Sequence, residues 1–193
     1  EMPTLFERIN QGGLVGYIII ILGLVGVGLA LERITSLTLT ARSVRAQMTA
    51  GSPNGDTPLG RVWAAYHSAA RRKKLDVETL ELKLDDAILK EMPALERNLS
   101  LLKLLAGVAP LMGLLGTVTG MILTFQAITL FGTGDPKLMA GGISQALITT
   151  VLGLIVAIPI LLLHAVAATR SREIVQILEE QAAGLIATHA ENK

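Results

Sequence analysis

The chain has 193 residues, of which 51% are hydrophobic, with a mean hydropathy of +0.55 and a formal net charge of +1. This apolarity excludes an ordinary soluble domain, and the small net charge gives no reason to expect nucleic-acid binding. The lack of cysteine excludes disulfides, thiol catalysis and cysteine metal sites. Three runs without Asp, Glu, Lys or Arg, at 9–31, 104–134 and 138–169, are each long enough to cross a bilayer. We therefore predict an all-α integral membrane protein with three transmembrane helices extended by long cytoplasmic helices.

The first transmembrane helix is predicted at 14–31, after a short polar flank at 1–13. Its bulky, β-branched side chains and scattered glycines are typical of a peripheral helix that faces lipid, and the alternative is a helix that packs against another one. The helix continues over 32–50 and ends at a turn-rich segment from Gly51 to Pro58, after which residues 59–74 return to helix. The basic run from Arg71 to Lys74 is either a solvated face or a contact with anionic lipid headgroups.

Residues 76–103 are predicted to form an amphipathic helix that continues into the second transmembrane helix. Its apolar stripe, which recurs at helical spacing, comprises Leu80, Leu84, Ile88, Leu95, Leu99 and Leu102. Pro93 lies inside this pattern and predicts a kink or a break. The stripe packs either on residues 32–74 or on a neighbouring subunit.

The positions of the basic residues indicate the topology. Of the 17 Lys and Arg, 12 lie within 32–103, whereas the flank at 1–13 and the loop at 131–139 have one each. By the positive-inside rule, the segment at 32–103 and the tail at 167–193 are cytoplasmic. The flank at 1–13 and the loop at 131–139 then lie on the opposite side of the membrane.

The second and third transmembrane helices, predicted at 104–130 and 140–166, contain residues that a helix surrounded only by lipid would not need. The small ones, which let another helix approach closely, are Gly113, Gly116, Gly120, Gly153 and Ala157. The polar ones, which are candidates for a proton path, are Thr117, Thr124, Gln145, Thr149 and Thr150. The loop at 131–139 is short, so the helices should be antiparallel neighbours whose polar stripes face one lumen. Alternatively, each Thr bonds back to a carbonyl of its own helix.

The second and third spans each contain one proline. Pro110 and Pro159 are expected to kink their helices, either as static bends or as hinges. No Asp, Glu, Lys or Arg lies in the middle of a predicted span. Because proton-moving membrane proteins usually need a titratable group within the bilayer, either this chain moves no protons or a partner brings the carboxylate. The sequence has no nucleophile–base pair, metal-ligand cluster or nucleotide loop, so we predict no enzyme activity, catalytic residue or cofactor.

Two segments carry a resemblance to a known family. The segment APLMGLLGTVTG at 109–120 closely resembles the second-span motif of ExbB and TolQ proteins, and GISQALITTVLGLIVAIP at 142–159 resembles their third-span motif. The order of spans also matches, and MotA stator subunits are more distant relatives. The resemblance implies a pentameric ring around an ExbD-like single-span partner that carries an intramembrane Asp. Thr117 and Thr150 match the pore-lining threonines near that Asp.

The same resemblance implies a function and a location. Proton flow through the ring would drive a TonB-like energy transducer, from a bacterial inner membrane in which the N-terminus is periplasmic and the C-terminus cytoplasmic. The tail at 177–186 and the loop at 131–136 resemble the longer ExbB-type subunits, so an extracytoplasmic extension before Glu1 is expected. Alternatives are a TolQ-like subunit for outer-membrane maintenance, a flagellar-type stator and a non-conducting membrane scaffold.

One position departs from the family pattern. Gln145 stands where relatives usually have Glu. A glutamine can form hydrogen bonds but cannot titrate. Either proton coupling differs in this chain, or the Glu of relatives is structural and Gln replaces it.

Overall fold

The computed structural model describes residues 12–71, 76–132 and 136–191, and these residues contain helices but no strand. The helices are α1 (Gly13–Thr49), α2 (Pro58–Ala70), α3 (Val77–Glu96), α4 (Leu99–Phe131) and α5 (Pro136–Glu191). The segments that contain α1, α4 and α5 are long and apolar enough to cross a membrane. This confirms the all-α membrane class. The polar flank at 1–11, the basic residues at 72–74 and the loop centre at 133–135 lie outside the described residues.

The helices divide between two compact units. The apolar unit is formed by Glu1–Leu31 and Ser100–His164, and the polar unit by Glu32–Leu99 and Ala165–Lys193. The apolar unit therefore holds the apolar parts of α1, α4 and α5. The polar unit holds the charged parts of α1 and α5 together with α2 and α3.

The core of the polar unit is built on the apolar stripe that the sequence predicts for α3. Leu80 and Leu84 are fully buried. Five of the six residues of the stripe pack in one cluster with residues of other helices, which include Leu37 and Val44 of α1, Leu59 and Val62 of α2, and Ile174 and Leu178 of α5. The sixth, Leu102, packs instead in a second cluster with Ala30, Ala106 and Ile160. Each fully buried side chain of this size contributes about 1.5–3 kcal/mol. Packing within the chain is thus confirmed for the stripe, and α5 joins it.

The break between α1 and α2 falls in the predicted turn-rich segment. Thr57 caps α2, because its Oγ1 accepts a hydrogen bond from the N–H of Gly60 at 2.9 Å. The Oε1 of Gln47, at the end of α1, accepts from the N–H of Asn54 at 3.0 Å. A Cβ on Gly60 would overlap the backbone of Asn54. These contacts fold the turn back onto both helices.

The amphipathic helix leads into the second span, and the predicted break lies between α3 and α4 rather than at Pro93 itself. Helix α3 continues through Pro93 to Glu96, and α4 begins at Leu99. Asn98, between them, has a φ of 62°, a left-handed conformation that Asn tolerates better than most residues. Pro93 lacks an N–H group, so the hydrogen bond that it removes is the one to the carbonyl of Leu89, one turn earlier, and α3 continues past it to Glu96.

The carbonyl groups freed by this break have partners from other helices. Arg33 of α1 donates through Nη2 to the carbonyl oxygen of Ala94 at 2.6 Å and also to that of Leu95. Ser171 of α5 donates through Oγ to the same oxygen of Leu95 at 2.9 Å. The last carbonyls of a helix have no partner within the helix, so they need hydrogen-bond donors of this kind when they are buried. The end of α3 is therefore tied to α1 and α5.

Candidate functional site

Helices α4 and α5 approach each other along a seam of glycines. This glycine seam comprises Gly113, Gly116 and Gly120 of α4 and Gly142 and Gly153 of α5. A Cβ added to Gly113 would lie 2.9 Å from the carbonyl oxygen of Thr149, and one added to Gly153 would lie 2.7 Å from that of Ala109. Both neighbours are backbone atoms, which cannot rotate away. Ala157, one turn beyond Gly153, is also buried.

Two threonines of the predicted polar set are enclosed in this seam. Thr149 has no exposed surface, and its side chain fills the space where Gly116 lacks a Cβ. Thr124 is 3% exposed and fills the corresponding space at Gly142. Their hydroxyls donate to carbonyls of their own helices, to Ala146 at 2.9 Å and to Gly120 at 3.0 Å. Both hydroxyls are thus satisfied inside the contact between the helices.

Thr117 and Thr150 lie at the edge of the seam and are half-buried. Each follows an enclosed residue, Gly116 in α4 and Thr149 in α5. Gly113 faces Thr149 and Thr150, whereas Gly120 faces residues 142–146, so the helices are antiparallel. Each residue of a helix is rotated by about 100° from the one before it. In two antiparallel helices that face each other, this rotation carries the next residue of each helix to the same side of their contact. Thr117 and Thr150 therefore share one edge of the seam.

The two hydroxyls at this edge are bonded differently. The Oγ1 of Thr117 donates to the carbonyl oxygen of Leu114 at 2.6 Å. That of Thr150 lies 3.4 Å from the carbonyl oxygen of Ala146, which is a long contact. A threonine oxygen retains acceptor capacity while it donates, and it can rotate to donate elsewhere. The edge therefore presents two adjustable polar groups.

Gln145 lies away from this edge. Its Nε2 is 2.7 Å from the place where a Cβ on Gly13 would stand, at the start of α1. Gln145 and Thr150 are five residues apart, which corresponds to about 140° around a helix. The structure thus groups Thr117 with Thr150, encloses Thr124 and Thr149, and places the amide of Gln145 beside α1.

Two glycines of α1 pack against α5, which is the alternative that the sequence left open for this helix. A Cβ on Gly23 would lie 2.8 Å from a methyl group of Val156, and one on Gly26 would overlap Ile160. The spacing of three between these glycines is the available signal, since it places both on one helix face. The opposite face of α1 remains open, with Leu14 78% exposed. Helix α1 therefore has one packed face and one exposed apolar face.

The prolines and the charges add little to the site. Helix α4 is continuous through Pro110, and α5 is continuous through Pro159, so the predicted kinks remain predictions. The described residues contain no cluster of His, Cys, Asp or Glu suited to a metal ion. The glycine seam consists of glycine, alanine and threonine residues and contains no carboxylate.

The chain was compared with known proteins. Residues 54–180 match the MotA/TolQ/ExbB proton channel family. A biopolymer transport protein ExbB homolog of Methanothermobacter thermautotrophicus is 34% identical over 175 residues, which are 83% of this chain and 62% of that protein. An ExbB-type biopolymer transport protein of Vibrio cholerae is 30% identical over 82% of this chain and 76% of its own length.

A TolQ protein of the Tol-Pal system from Haemophilus influenzae is also similar, at 38% identity over 73 residues. That match covers 38% of this chain and 32% of the TolQ protein. The two ExbB-type matches described above extend over most of the chain, and the family match covers α2, α3, α4 and most of α5. The chain belongs to the MotA/TolQ/ExbB proton channel family.

Proposed function

We propose that the chain is the ExbB-type subunit of a proton-driven motor that energises TonB-dependent import across the outer membrane. Its partners are an ExbD-like single-span protein, which carries the intramembrane Asp, and a TonB-like transducer. The observation that carries the proposal is the edge of the glycine seam. The hydroxyls of Thr117 and Thr150 lie at this edge, and the predicted spans at 104–130 and 140–166 contain no carboxylate of their own.

The arrangement in the membrane follows the charge pattern. The segment at 32–103 and the tail at 167–193 form a cytoplasmic base, and the flank at 1–13 and the loop at 131–139 are periplasmic, in the bacterial inner membrane. Five copies form a ring around the partner helices, as the resemblance to the family implies. The open apolar face of α1 then contacts lipid.

The proposed chemistry depends on hydroxyls that serve both states of a carboxyl group. Inserting an isolated charge at the bilayer centre costs about 2.5–3.5 kcal/mol on insertion scales. An ionised partner Asp is stabilised when Thr117 or Thr150 donates a hydrogen bond to it. The protonated acid is stabilised when it donates to the same threonine oxygen. A path of this kind favours neither state strongly, which reversible proton transfer requires.

Thr124, Thr149 and Gln145 have different parts in this proposal. The enclosed hydroxyls of Thr124 and Thr149 hold α4 against α5, and the path runs along the open edge. The amide of Gln145 stabilises the start of α1. A residue at position 145 is directed away from Thr150. This supports the second explanation of Gln145, in which the Glu of relatives is structural and Gln replaces it.

Thr117→Val tests the path with a matched control. Valine has nearly the same shape as threonine but no hydroxyl. We expect Thr117→Val to lower proton flux into liposomes that contain the chain and its partner by about tenfold, the effect of one lost hydrogen bond of about 1.4 kcal/mol. Thr119→Val is the control. Thr119 is also half-buried and bonds to its own helix at Gly116, on the other edge of α4.

Two results would contradict the path. One is full flux in Thr117→Val, and the other is an equal loss in Thr117→Val and Thr119→Val. Copurification of the partner with each variant separates a loss of flux from a loss of assembly. A chain that assembles with the partner but conducts no protons in the unaltered form would favour the scaffold.

The similarity to TolQ supports one alternative, a subunit that maintains the outer membrane. The two roles are separated by deleting the chain's gene and measuring two phenotypes. Loss of TonB-dependent uptake with an intact outer membrane supports the ExbB-type role. Leakage of periplasmic proteins with normal uptake supports the TolQ-type role.

A further inference from the structure

A polar cavity of about 270 Å³ lies within the polar unit, apart from the glycine seam. Its walls come from α1, from α2 with the turn before it, and from α3. The charged and hydroxyl side chains at the cavity include Arg33, Ser36, Asp56, Arg61, Glu91 and Arg97. At about 30 Å³ for each water molecule, the cavity has the volume of about nine waters, which is enough for a small oxyanion.

Arg33 is a buried cation, and one of its N–H donors has no acceptor among the described residues. It is 3% exposed, and its Nη2 donates to the carbonyl oxygens of Ala94 and Leu95. Both acceptors are neutral. Its Nε is buried and has no hydrogen-bond partner among the residues that the structure describes. Buried polar groups, and charged ones above all, are normally paired, so this donor calls for an acceptor.

The nearby carboxylates do not fill this role. Glu91 is held by Arg61 through two hydrogen bonds of 2.8 and 2.6 Å. These bonds raise the pKa of Arg61, against the opposing effect of its burial, and Asp56 adds to the increase by its charge. Glu32 contacts Arg97 at 3.4 Å on the exposed surface. The end of the cavity at Arg33 and Arg97 thus has two cations and one loosely paired carboxylate.

We propose that this cavity binds a phosphate group between the guanidinium groups of Arg33 and Arg97, both of which line it. Ser36 lies three residues after Arg33 and lines the cavity from the same face of α1, so its hydroxyl is available as a third donor. Guanidinium groups suit phosphate because their donors form a fixed fork. The phosphate belongs either to an anionic lipid headgroup or to a soluble ion. Arg33 follows the end of the apolar segment of α1 at Leu31 by two residues, which favours a headgroup.

The test compares two variants that break the same ion pair. Arg97→Gln and Glu32→Gln both remove the contact between Arg97 and Glu32, but only Arg97→Gln removes a donor to the anion. The full chain is purified in a neutral detergent. Binding of inorganic phosphate is measured by titration calorimetry, and binding of phosphatidylglycerol, with phosphatidylcholine as reference, by native mass spectrometry. We expect Arg97→Gln to weaken binding by at least about tenfold and Glu32→Gln to leave it equal or tighter.

The outcomes separate the sources of the phosphate. Loss of phosphatidylglycerol binding in Arg97→Gln alone identifies a lipid headgroup, and loss of inorganic phosphate binding identifies a soluble ion. The proposal is overturned if the unaltered chain binds neither. It is also overturned if Arg97→Gln and Glu32→Gln weaken binding equally, because the effect would then come from the lost ion pair.

Discussion

At the scale of single residues, the contact between α4 and α5 depends on missing side-chain atoms. Gly116 lies against Thr149 so closely that a Cβ there would overlap the Cβ, Oγ1 and Cγ2 of the threonine. The threonine side chain is enclosed and cannot rotate into open space. The fit of the two helices is therefore sensitive to one methyl group.

Gly116→Ala is expected to destabilise the chain by about 1–3 kcal/mol, the usual cost of overpacking. Gly107→Ala is the control, because Gly107 lies in the same helix and nothing is within 4 Å of its Cβ position. The measurement is thermal unfolding in detergent, followed by circular dichroism. Adding Thr149→Gly to Gly116→Ala should restore part of the loss, since it removes the overlapping atoms. Equal melting temperatures for Gly116→Ala and Gly107→Ala would show that the seam is not tight.

The sequence predicted the small and polar residues of the seam but not their separation into two groups. Helical spacing places Thr117 and Thr124 near one face, because they are seven residues apart. It does not show how wide the contact with α5 is. Only the approach of α5 at Gly120 and Gly142 encloses Thr124 and leaves Thr117 at the edge.

At the scale of helices, the end of α3 is where three segments meet. The apolar stripe of α3 was predictable because its period matches that of a helix. The site of the break was not, since Pro93 signals a disturbance without its location and Asn98 is an ordinary polar residue in the sequence. The hydrogen bond from Ser171 to Leu95 joins residues 76 positions apart, and no local pattern indicates such a pairing.

Ser171→Ala is expected to lower the free energy of unfolding by about 1 kcal/mol, because a buried carbonyl loses one of its two donors. Ser171 is 2% exposed, so water cannot easily replace the hydroxyl. Ser68→Ala serves as the control, since the Ser68 hydroxyl is exposed and bonds within its own helix at Ala65. Chemical denaturation of both variants gives the comparison. A loss in Ser68→Ala as large as that in Ser171→Ala would mean that the bond to α3 contributes nothing.

At the scale of the whole molecule, the two units bury their apolar residues differently. Among the described residues, the polar unit has a core cluster to which α1, α2, α3 and α5 contribute, together with Leu99, the first residue of α4. The apolar unit leaves large side chains such as Leu24, Leu111 and Leu162 more than half exposed. Composition alone predicted this difference, because uncharged runs of this length are stable only when lipid or another chain covers them.

Native mass spectrometry tests the proposed assembly. We expect the chain purified alone to give a closed ring, five copies by resemblance to the family, and the chain purified with its single-span partner to give the same ring with added partner copies. The exposed apolar surface supplies the physical reason. A monomer or dimer whose mass does not change with the partner would contradict the ring and favour the scaffold.

The glycine seam also determines how the chain tolerates genetic change. Any single-base change that alters a glycine codon to that of another residue introduces a Cβ, and at Gly113, Gly116, Gly120, Gly142 and Gly153 that atom has no room. Alanine, serine and valine are equally unsuitable for this reason, although they are conservative elsewhere. The five codons, spread over 41 positions, are thus all expected to be sites of destabilising mutations. By contrast, a Cβ at Gly107 would meet no atom of the chain within 4 Å.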